Sequence, residues 1–189
     1  MTAEPPLSTV KPHEYLVPAV HALLFAAGEP VSAGVIGVAL GDLDPALITA
    51  ALLALQTQLE QDAALVLDKV AGGWQLRTHP RYAKAVLRLR GGRAKRLSQA
   101  ALEVLSVVAY QQPATRADVE QVRGVASGGV LKSLIDKGLV RTTGRRDLPG
   151  RPLEYGTTPL FLELFSLSDL LALPTLRERE SLVEDHEGP

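Results

Sequence analysis

Apolar residues recur at helical spacing in the first part of the chain. The first stripe falls at i, i+3, i+4, i+7, i+8 and i+11 and ends before Gly28. A weaker pattern over residues 31–40 precedes Gly41, and Asp44 followed by Pro45 marks the start of a third helix. We therefore predict three short helices. The first and third stripes contain Leu16, Ala19, Val20, Leu23, Leu24 and Ala27, and then Ile48, Leu52, Leu55 and Leu59.

A β-hairpin is predicted directly after these helices. Residues 65–67 and 74–76 are short strand-like segments, and Gly72 and Gly73 lie in the connection between them. Trp74, the only tryptophan, is interpreted as a core anchor of this hairpin. Residues 81–90 then predict a closing helix.

The second part of the chain repeats this order of elements. Its predicted helices carry one stripe of Leu102, Leu105, Val108 and Ala109, a second of Val119 and Val122, and a third of Val130, Leu131, Leu134 and Ile135. Residues 139–143 and 153–157 are predicted strands joined by a basic, turn-rich connection. Thr158 followed by Pro159 predicts a short final helix with Phe161 in the core.

Three helices followed by a hairpin are typical of a winged helix, and the order occurs twice. The predicted fold class is therefore mainly α with small β-hairpins (α+β), in two tandem winged-helix domains. We expect the following organisation: residues 1–12, a disordered leader; 13–90, the N-terminal winged-helix domain; 91–97, a basic linker; 98–170, the C-terminal winged-helix domain; and 171–189, an acidic and disordered tail.

The first predicted helix is very apolar for so small a module. A domain of this size buries a limited fraction of its surface, so pairing with a second copy would extend the core. We therefore expect a homodimer formed by residues 13–90. The candidate contacts are Leu16, Val20, Leu23 and Leu24.

Composition narrows the class of protein. The chain has 189 residues, 46% of them hydrophobic, and no cysteine, which excludes a disulfide framework and a thiolate metal site. No apolar run approaches the roughly 18 residues that a membrane helix needs, and no signal peptide is visible. We expect a cytoplasmic protein without membrane association. The net charge is −1 for residues 1–92, +4 for 93–166 and −4 for 167–189.

Catalytic and metal motifs are absent from the sequence. The four histidines, at positions 13, 21, 79 and 186, do not have the spacing of a metal site, and there is no P-loop or Gly-x-Ser-x-Gly elbow. We expect no enzyme activity, no catalytic residues, no cofactor and no metal.

The predicted third helix of the second domain does not look like a DNA-reading helix. Its exposed positions, taken as 127–129, 132, 133, 136 and 137, include no Arg, Asn or Gln, the side chains that make good bidentate base contacts. The wing carries Arg145, Arg146 and Arg151. These arginines could contact phosphate, pair with Asp147 or Glu154, or bind the carboxylates of a protein partner. Direct DNA binding is expected to be weak.

Long motifs resemble the bacterial segregation and condensation protein B family. Residues 107–116 read VVAYQQPATR, 123–125 read RGV and 144–163 read GRRDLPGRPLEYGTTPLFLE. The first half agrees, with ALLFAAGEPVS at 22–32 and GGWQLRT at 72–78. The resemblance covers residues 14–170. One departure is Ala126, where the family usually has an acidic residue that could cap the third helix or meet a partner.

The resemblance implies a non-catalytic subunit of the bacterial condensin complex. Such proteins are tandem winged helices that dimerise through the N-terminal module. They bind the kleisin subunit, segregation and condensation protein A, and through it the SMC ATPase. The implied role is chromosome condensation and segregation in the cytoplasm, at the nucleoid, with DNA contacted indirectly or weakly. The alternative from the fold alone is a winged-helix DNA-binding transcription regulator. Tyr110 and Tyr155, together with Arg145, Arg146 and Arg151, are the candidate partner contacts.

Overall fold

The computed structural model describes residues 12–62, 64–91, 96–175 and 178, which form two compact units that divide between Lys95 and Arg96. Each unit contains three helices followed by an antiparallel hairpin, and this confirms the predicted fold class. The predicted leader lies outside the described residues except for Pro12, the first residue of a helix.

The first unit has four helices and one hairpin. Ser32 caps the second helix by accepting from the Val35 N–H, and Asp44 caps the third by accepting from the Ala46 N–H at 2.8 Å. The elements are α1 (Pro12–Ala27), α2 (Ala33–Ala39), α3 (Pro45–Asp62), β1 (Leu65–Val70), β2 (Gly73–Thr78), a 3-10 turn (Pro80–Tyr82) and α4 (Ala83–Leu89).

The core of the first unit lies between α1, α3 and one face of the hairpin. Strands β1 and β2 pair in register from Leu65 opposite Thr78 to Val70 opposite Gly73. A bridge between Val31 and Trp74 joins β2 to the segment before α2. A Cβ at Gly73 would lie 2.8 Å from the Val31 backbone nitrogen, so only glycine allows this approach. The buried core residues include Leu16, Val17, Val20, Leu24, Ile36, Ile48, Leu52, Leu55, Leu59 and Leu67.

The second unit repeats the order with a third, very short strand. Ser98, Thr115 and Thr158 cap three of its helices through their side-chain oxygens. The elements are α5 (Gln99–Gln111), β3 (Ala114–Thr115), α6 (Arg116–Arg123), α7 (Gly128–Asp136), β4 (Val140–Arg145), β5 (Leu153–Thr157), α8 (Pro159–Leu164) and a 3-10 turn (Leu170–Ala172).

The sheet of the second unit has the strand order β3-β5-β4, so β4 lies at an edge. Its pairing with β5 runs from Val140 opposite Thr157 to Arg145 opposite Leu153, with a bulge between Thr142 and Gly144. The Gln112 side chain joins the end of α5 to the sheet, because its Oε1 accepts from the Thr157 N–H at 2.8 Å.

Three residues that the sequence places in the core of the second unit are exposed in the structure. Leu105, Val108, Leu131, Leu134 and Phe161 are buried as predicted. Leu102 and Ile135, however, are each 37% exposed, and Val122 is 56% exposed. The reason is that α5 faces α6 and α7 with Ala101, Val104, Leu105 and Val108, which turns Leu102 toward the edge of the core. Leu102 and Val122 instead line surface grooves.

The chain beyond α8 differs from the predicted tail in its first residues. Residues 171–175 are described and continue the packing of the second unit, where Leu173 contacts the core and the Pro174 carbonyl accepts a hydrogen bond. The rest of the predicted tail lies outside the described residues except for Glu178, whose carboxylate accepts from the Thr175 N–H at 2.7 Å.

Leu105 is buried and Leu102 is exposed on the same helix, so the two leucines form a matched pair for a stability test. Leu105→Ala should lower the free energy of unfolding by about 2–5 kcal/mol, because a fully buried leucine leaves a cavity. Leu102→Ala on the same helix should cost clearly less. Denaturant unfolding followed by circular dichroism measures both changes. Equal losses in the two variants would contradict this assignment of the core.

Candidate partner-binding surfaces

The predicted contact stripe of α1 is used inside the first unit. Leu16, Val20 and Leu24 are buried and Leu23 is partly buried, all packed with the core between α1 and α3. Their contact with a second copy stays a prediction. The first unit uses this stripe in its own core, where it packs with residues of α3. The four residues are therefore not a free surface in this chain.

The opposite side of α1 is also apolar, and it is exposed. Tyr15, Pro18, Ala22 and Phe25 follow one another at spacings of three and four residues, which places them on one helix face. Phe25 is 77% exposed. We call these four residues the outer face of α1. Further exposed apolar side chains of the unit lie on α2 and α3, namely Val35, Val38, Leu47 and Leu53. The sequence analysis did not identify the outer face, because it considered only the stripe from Leu16 to Ala27 and α1 has a second apolar stripe.

Arg146 fixes the base of the wing. Its Nη1 lies 2.9 Å from Asp118 Oδ2, its Nε donates to Glu154 Oε1 at 3.0 Å and its Nη2 donates to the Pro113 carbonyl at 2.8 Å. These contacts raise the pKa of Arg146, the hydrogen bond to Glu154 most strongly. All three guanidinium nitrogens are engaged within the unit. A partner contact of Arg146 stays a prediction, and it would compete with these contacts. The alternative of pairing with Glu154 is observed.

Asp118 connects this network to the start of α6. Its Oδ2 accepts from the Thr115 N–H at 2.7 Å, and its own N–H donates to Thr115 Oγ1 at 3.2 Å, which together form a capping box. The Thr115 N–H is the main cause that lowers the pKa of Asp118, and Arg146 lowers it further. The wing and α6 are therefore held by one shared carboxylate.

Arg145 and Arg151 remain on the surface of the wing. Arg145 Nη1 donates to the Arg151 carbonyl at 3.0 Å, and both side chains are exposed. Neither guanidinium forms an ion pair with a carboxylate in the described part of the chain. These two cations can therefore meet an anionic group of a partner.

The two candidate tyrosines have different environments. Tyr155 is partly buried on β5, pairs across the sheet with Ala114 and Thr142, and packs against the core. Tyr110 is exposed at the end of α5, and its hydroxyl donates to the Pro174 carbonyl at 2.6 Å. Tyr155 therefore has a structural role in the unit, whereas Tyr110 lies at a surface.

A carboxylate from α6 caps the N-terminus of α7. Glu120 Oε1 accepts from the Ser127 N–H at 2.8 Å and from Arg116 Nε at 2.7 Å. The Ser127 N–H is the main cause that lowers the pKa of Glu120, ahead of Arg116. Ser127 itself is buried, which corrects its place among the exposed positions, and its Oγ accepts from Arg123 at 2.9 Å. Glu120 thus supplies the capping carboxylate that Ala126 cannot.

Sequence reasoning missed Glu120 as a capping residue. The only local signal is its spacing of four residues from Arg116, which indicates an ion pair along one helix. The capping contact, from the Ser127 N–H to the Glu120 carboxylate, joins the start of α7 to α6. Its consequence is that the N-terminus of α7 is already occupied by an ion pair of the same unit, with Glu120 on the Ser127 N–H and the Arg116 guanidinium beside Gly128.

Within the described residues, no group of three or more His, Asp or Glu side chains could hold a metal ion. In that same part of the chain, no helix has the length and apolar character needed to cross a membrane.

Comparison with known proteins adds family information to this geometry. The family profile described as "Segregation and condensation complex subunit ScpB" matches residues 18–176. A curated protein of Syntrophotalea carbinolica named "Segregation and condensation protein B" is 51% identical over 170 residues, which cover 89% of this chain and 86% of that protein. The protein of the same name from Moorella thermoacetica is 46% identical over 164 residues, which cover 85% of this chain and 82% of that protein.

A solved structure is also similar in sequence. "Crystal Structure of ScpB from Mycobacterium tuberculosis" is 34% identical, covers 86% of this chain and 98% of that chain, and superposes with a TM-score of 0.39.

The lowered pKa of Glu120 predicts a dependence of stability on pH. A depressed pKa in the folded state contributes stability above the ordinary value of 4.5, and this contribution is lost as the pH falls through the folded value. Glu120→Gln should therefore lower the melting temperature at neutral pH and reduce the further loss on acidification. Thermal unfolding between about pH 7 and pH 3 measures this.

Glu60→Gln, at an exposed position of α3 in the first unit, is the matched control and should follow the wild-type pH profile. An identical profile for Glu120→Gln and the wild type would contradict the capping role of Glu120.

Proposed function

The chain belongs to the family of the segregation and condensation complex subunit ScpB, and from this membership we propose that it is a non-catalytic, protein-binding subunit of a chromosome-compacting complex. The observation that carries the proposal is the carboxylate of Glu120 at the N-terminus of α7. This carboxylate, paired with Arg116, already accepts from the Ser127 N–H, so that donor is not offered to a phosphate oxygen. The proposed partners are therefore proteins, and DNA is contacted weakly or through them.

A homodimer formed by the first unit is the first part of the proposal. The outer face of α1 is apolar and exposed, although the same helix already buries its other face. Covering this outer face with a second copy would remove Phe25 and its neighbours from water, and burial of apolar area is the main favourable term in association. The proposed contact is therefore the outer face and not the stripe of Leu16, Val20 and Leu24.

Binding of the kleisin subunit is the second part, with the SMC ATPase reached through the kleisin. The second unit exposes apolar side chains on α5, on α6 and directly after α8, namely Leu102, Val122 and Phe165. Such a surface suits a peptide-like protein segment, and the cations Arg145 and Arg151 can meet its carboxylates. The rival function, a DNA-binding transcription regulator, is favoured by these two wing cations and by the exposed lysines of α7 and its C-terminal end, Lys132 and Lys137.

The dimer proposal predicts the effect of a charge on the outer face of α1. Phe25→Asp should convert the dimer to a monomer, because it places an unpaired charge in the proposed apolar contact. Light scattering on the full-length chain at tens of micromolar concentration measures the mass. Leu89→Asp, at an exposed apolar residue of α4, is the matched control and should leave the dimer intact. A monomeric wild type, or a dimeric Phe25→Asp variant, would contradict the proposal.

The partner proposal predicts opposite salt dependences for protein and DNA. A kleisin fragment should bind with a Kd below about 1 µM and change little with added salt. Duplex DNA should bind weakly, with an affinity that falls steeply as salt rises, because contacts to phosphates release counterions. Fluorescence titrations at about 0.05 and 0.2 M salt compare the two ligands. Tight, sequence-dependent DNA binding without kleisin association would favour the regulator instead.

A further inference from the structure

A segment after α8 crosses the surface of α5, and we call residues 166–175 the C-terminal strap. It begins where Ser166 takes a positive φ of 56° and the Leu167 N–H donates to the Leu162 carbonyl at 2.8 Å. Asp169 then caps a 3-10 turn by accepting from the Leu171 and Ala172 N–H groups. The strap reaches Tyr110, whose hydroxyl donates to the Pro174 carbonyl. Its path is therefore defined at both ends.

An apolar groove lies between the strap and the body of the second unit. It has a volume of about 290 Å³. Phe161 and Phe165 form one wall, with ring centroids 5.0 Å apart. The remaining lining comes from α5 and the strap, chiefly Leu102, Leu105, Ala109 and Leu173. The strap therefore forms one side of the groove and narrows it without filling it.

The strap is held by few buried side chains. Leu167 and Leu173 pack against the core, whereas Leu170 is exposed and Leu171 is 96% exposed. A segment with so little buried apolar area belongs to the part of a structure that opens at low cost. The strap can therefore leave the groove without unfolding the helices beneath it.

The groove continues beyond the strap along α5. A second groove, of about 570 Å³, lies between α5 and α6 and shares Leu102, Ser106 and Tyr110 with the first. Val122 lines it and is exposed. Departure of the strap would therefore open one continuous groove centred on Leu102 and Tyr110, apolar beneath the strap and mixed along α6, where Glu103 and Arg123 also line it.

We propose that the groove beside the strap is the docking site for a short, extended, leucine-containing segment of the protein partner. The C-terminal strap is an internal competitor that this segment displaces. The strap itself indicates the chemistry of the ligand, because it inserts leucines and offers a backbone carbonyl to Tyr110. The proposal rests on the protein-binding function proposed above and adds its regulation.

The competition follows from the short connection between strap and groove. The strap starts two residues after α8, so its effective concentration at the groove is about millimolar or higher. A partner segment competes for the groove against this effective concentration. The apparent affinity of the partner is reduced by the fraction of molecules whose groove is covered. Weakening the strap should therefore increase the affinity for an added segment.

The test uses the full-length chain and, as probe, a fluorescein-labelled peptide with the sequence of residues 166–175. Leu173→Asp places a charge where the strap packs and should release it. Leu171→Asp makes the same change at the exposed strap residue and is the matched control. Leu173→Ala is a milder variant that serves if Leu173→Asp does not fold by circular dichroism. Fluorescence anisotropy measures the Kd of the peptide.

The peptide should bind Leu173→Asp about tenfold or more tightly than the wild type, and Leu171→Asp should match the wild type. Adding Leu102→Asp to Leu173→Asp should abolish peptide binding, because it charges the groove itself. Equal affinity of the wild type and both Leu173 variants would overturn the proposal. Binding that survives Leu102→Asp would also overturn it.

The same variants titrated with a kleisin fragment separate this inference from the proposed function. Kleisin affinity should rise in Leu173→Asp by a factor similar to that seen with the peptide. Kleisin binding that is unchanged across the variants would overturn displacement of the strap and leave the proposed function standing. If no variant binds kleisin, the proposed function fails. The peptide titration alone then decides whether the strap competes for the groove.

Discussion

Small size is the constraint from which the surfaces of this protein follow. Each unit has fewer than one hundred residues, and a domain of this size cannot enclose all the apolar side chains that its helices carry. Helix α1 uses Leu16, Val20 and Leu24 for its own core and still presents Phe25 to solvent. Helix α5 does the same with Leu105 inside and Leu102 at the edge. What remains outside is available to another chain or to the chain's own strap.

Ion pairs within the second unit decide which of its charged side chains remain available to a partner. Arg146 joins the wing to Asp118, Glu154 and the Pro113 carbonyl, and Glu120 neutralises Arg116 while capping α7. The net positive charge of residues 93–166 is therefore not a uniform basic surface. Both networks are built from contacts between elements, and the exposed cations that remain are spread over α7, β4 and the wing.

The sequence predicted elements well wherever the signal is local. Periodic leucines and short caps such as Thr158 with Pro159 indicate helices without knowledge of their neighbours, and the structure has a helix at that position. Contacts between distant positions were not predictable. Arg146 meets Asp118 across 28 positions of sequence, and no local pattern distinguishes Leu105 from Leu102 on one wide stripe. Which face of α1 meets the core is likewise decided by α3 and the hairpin.

The bulge in β4 has a consequence for the behaviour of the protein at high concentration. An edge strand offers unpaired backbone groups to any other chain, and regular edges promote aggregation. Here the irregularity between Thr142 and Gly144 interrupts the ladder, and the exposed side chains of Arg141 and Arg145 place like charges along the same strand. Two copies meeting edge to edge would repel each other and find no continuous register. The wing therefore discourages sheet-to-sheet polymerisation.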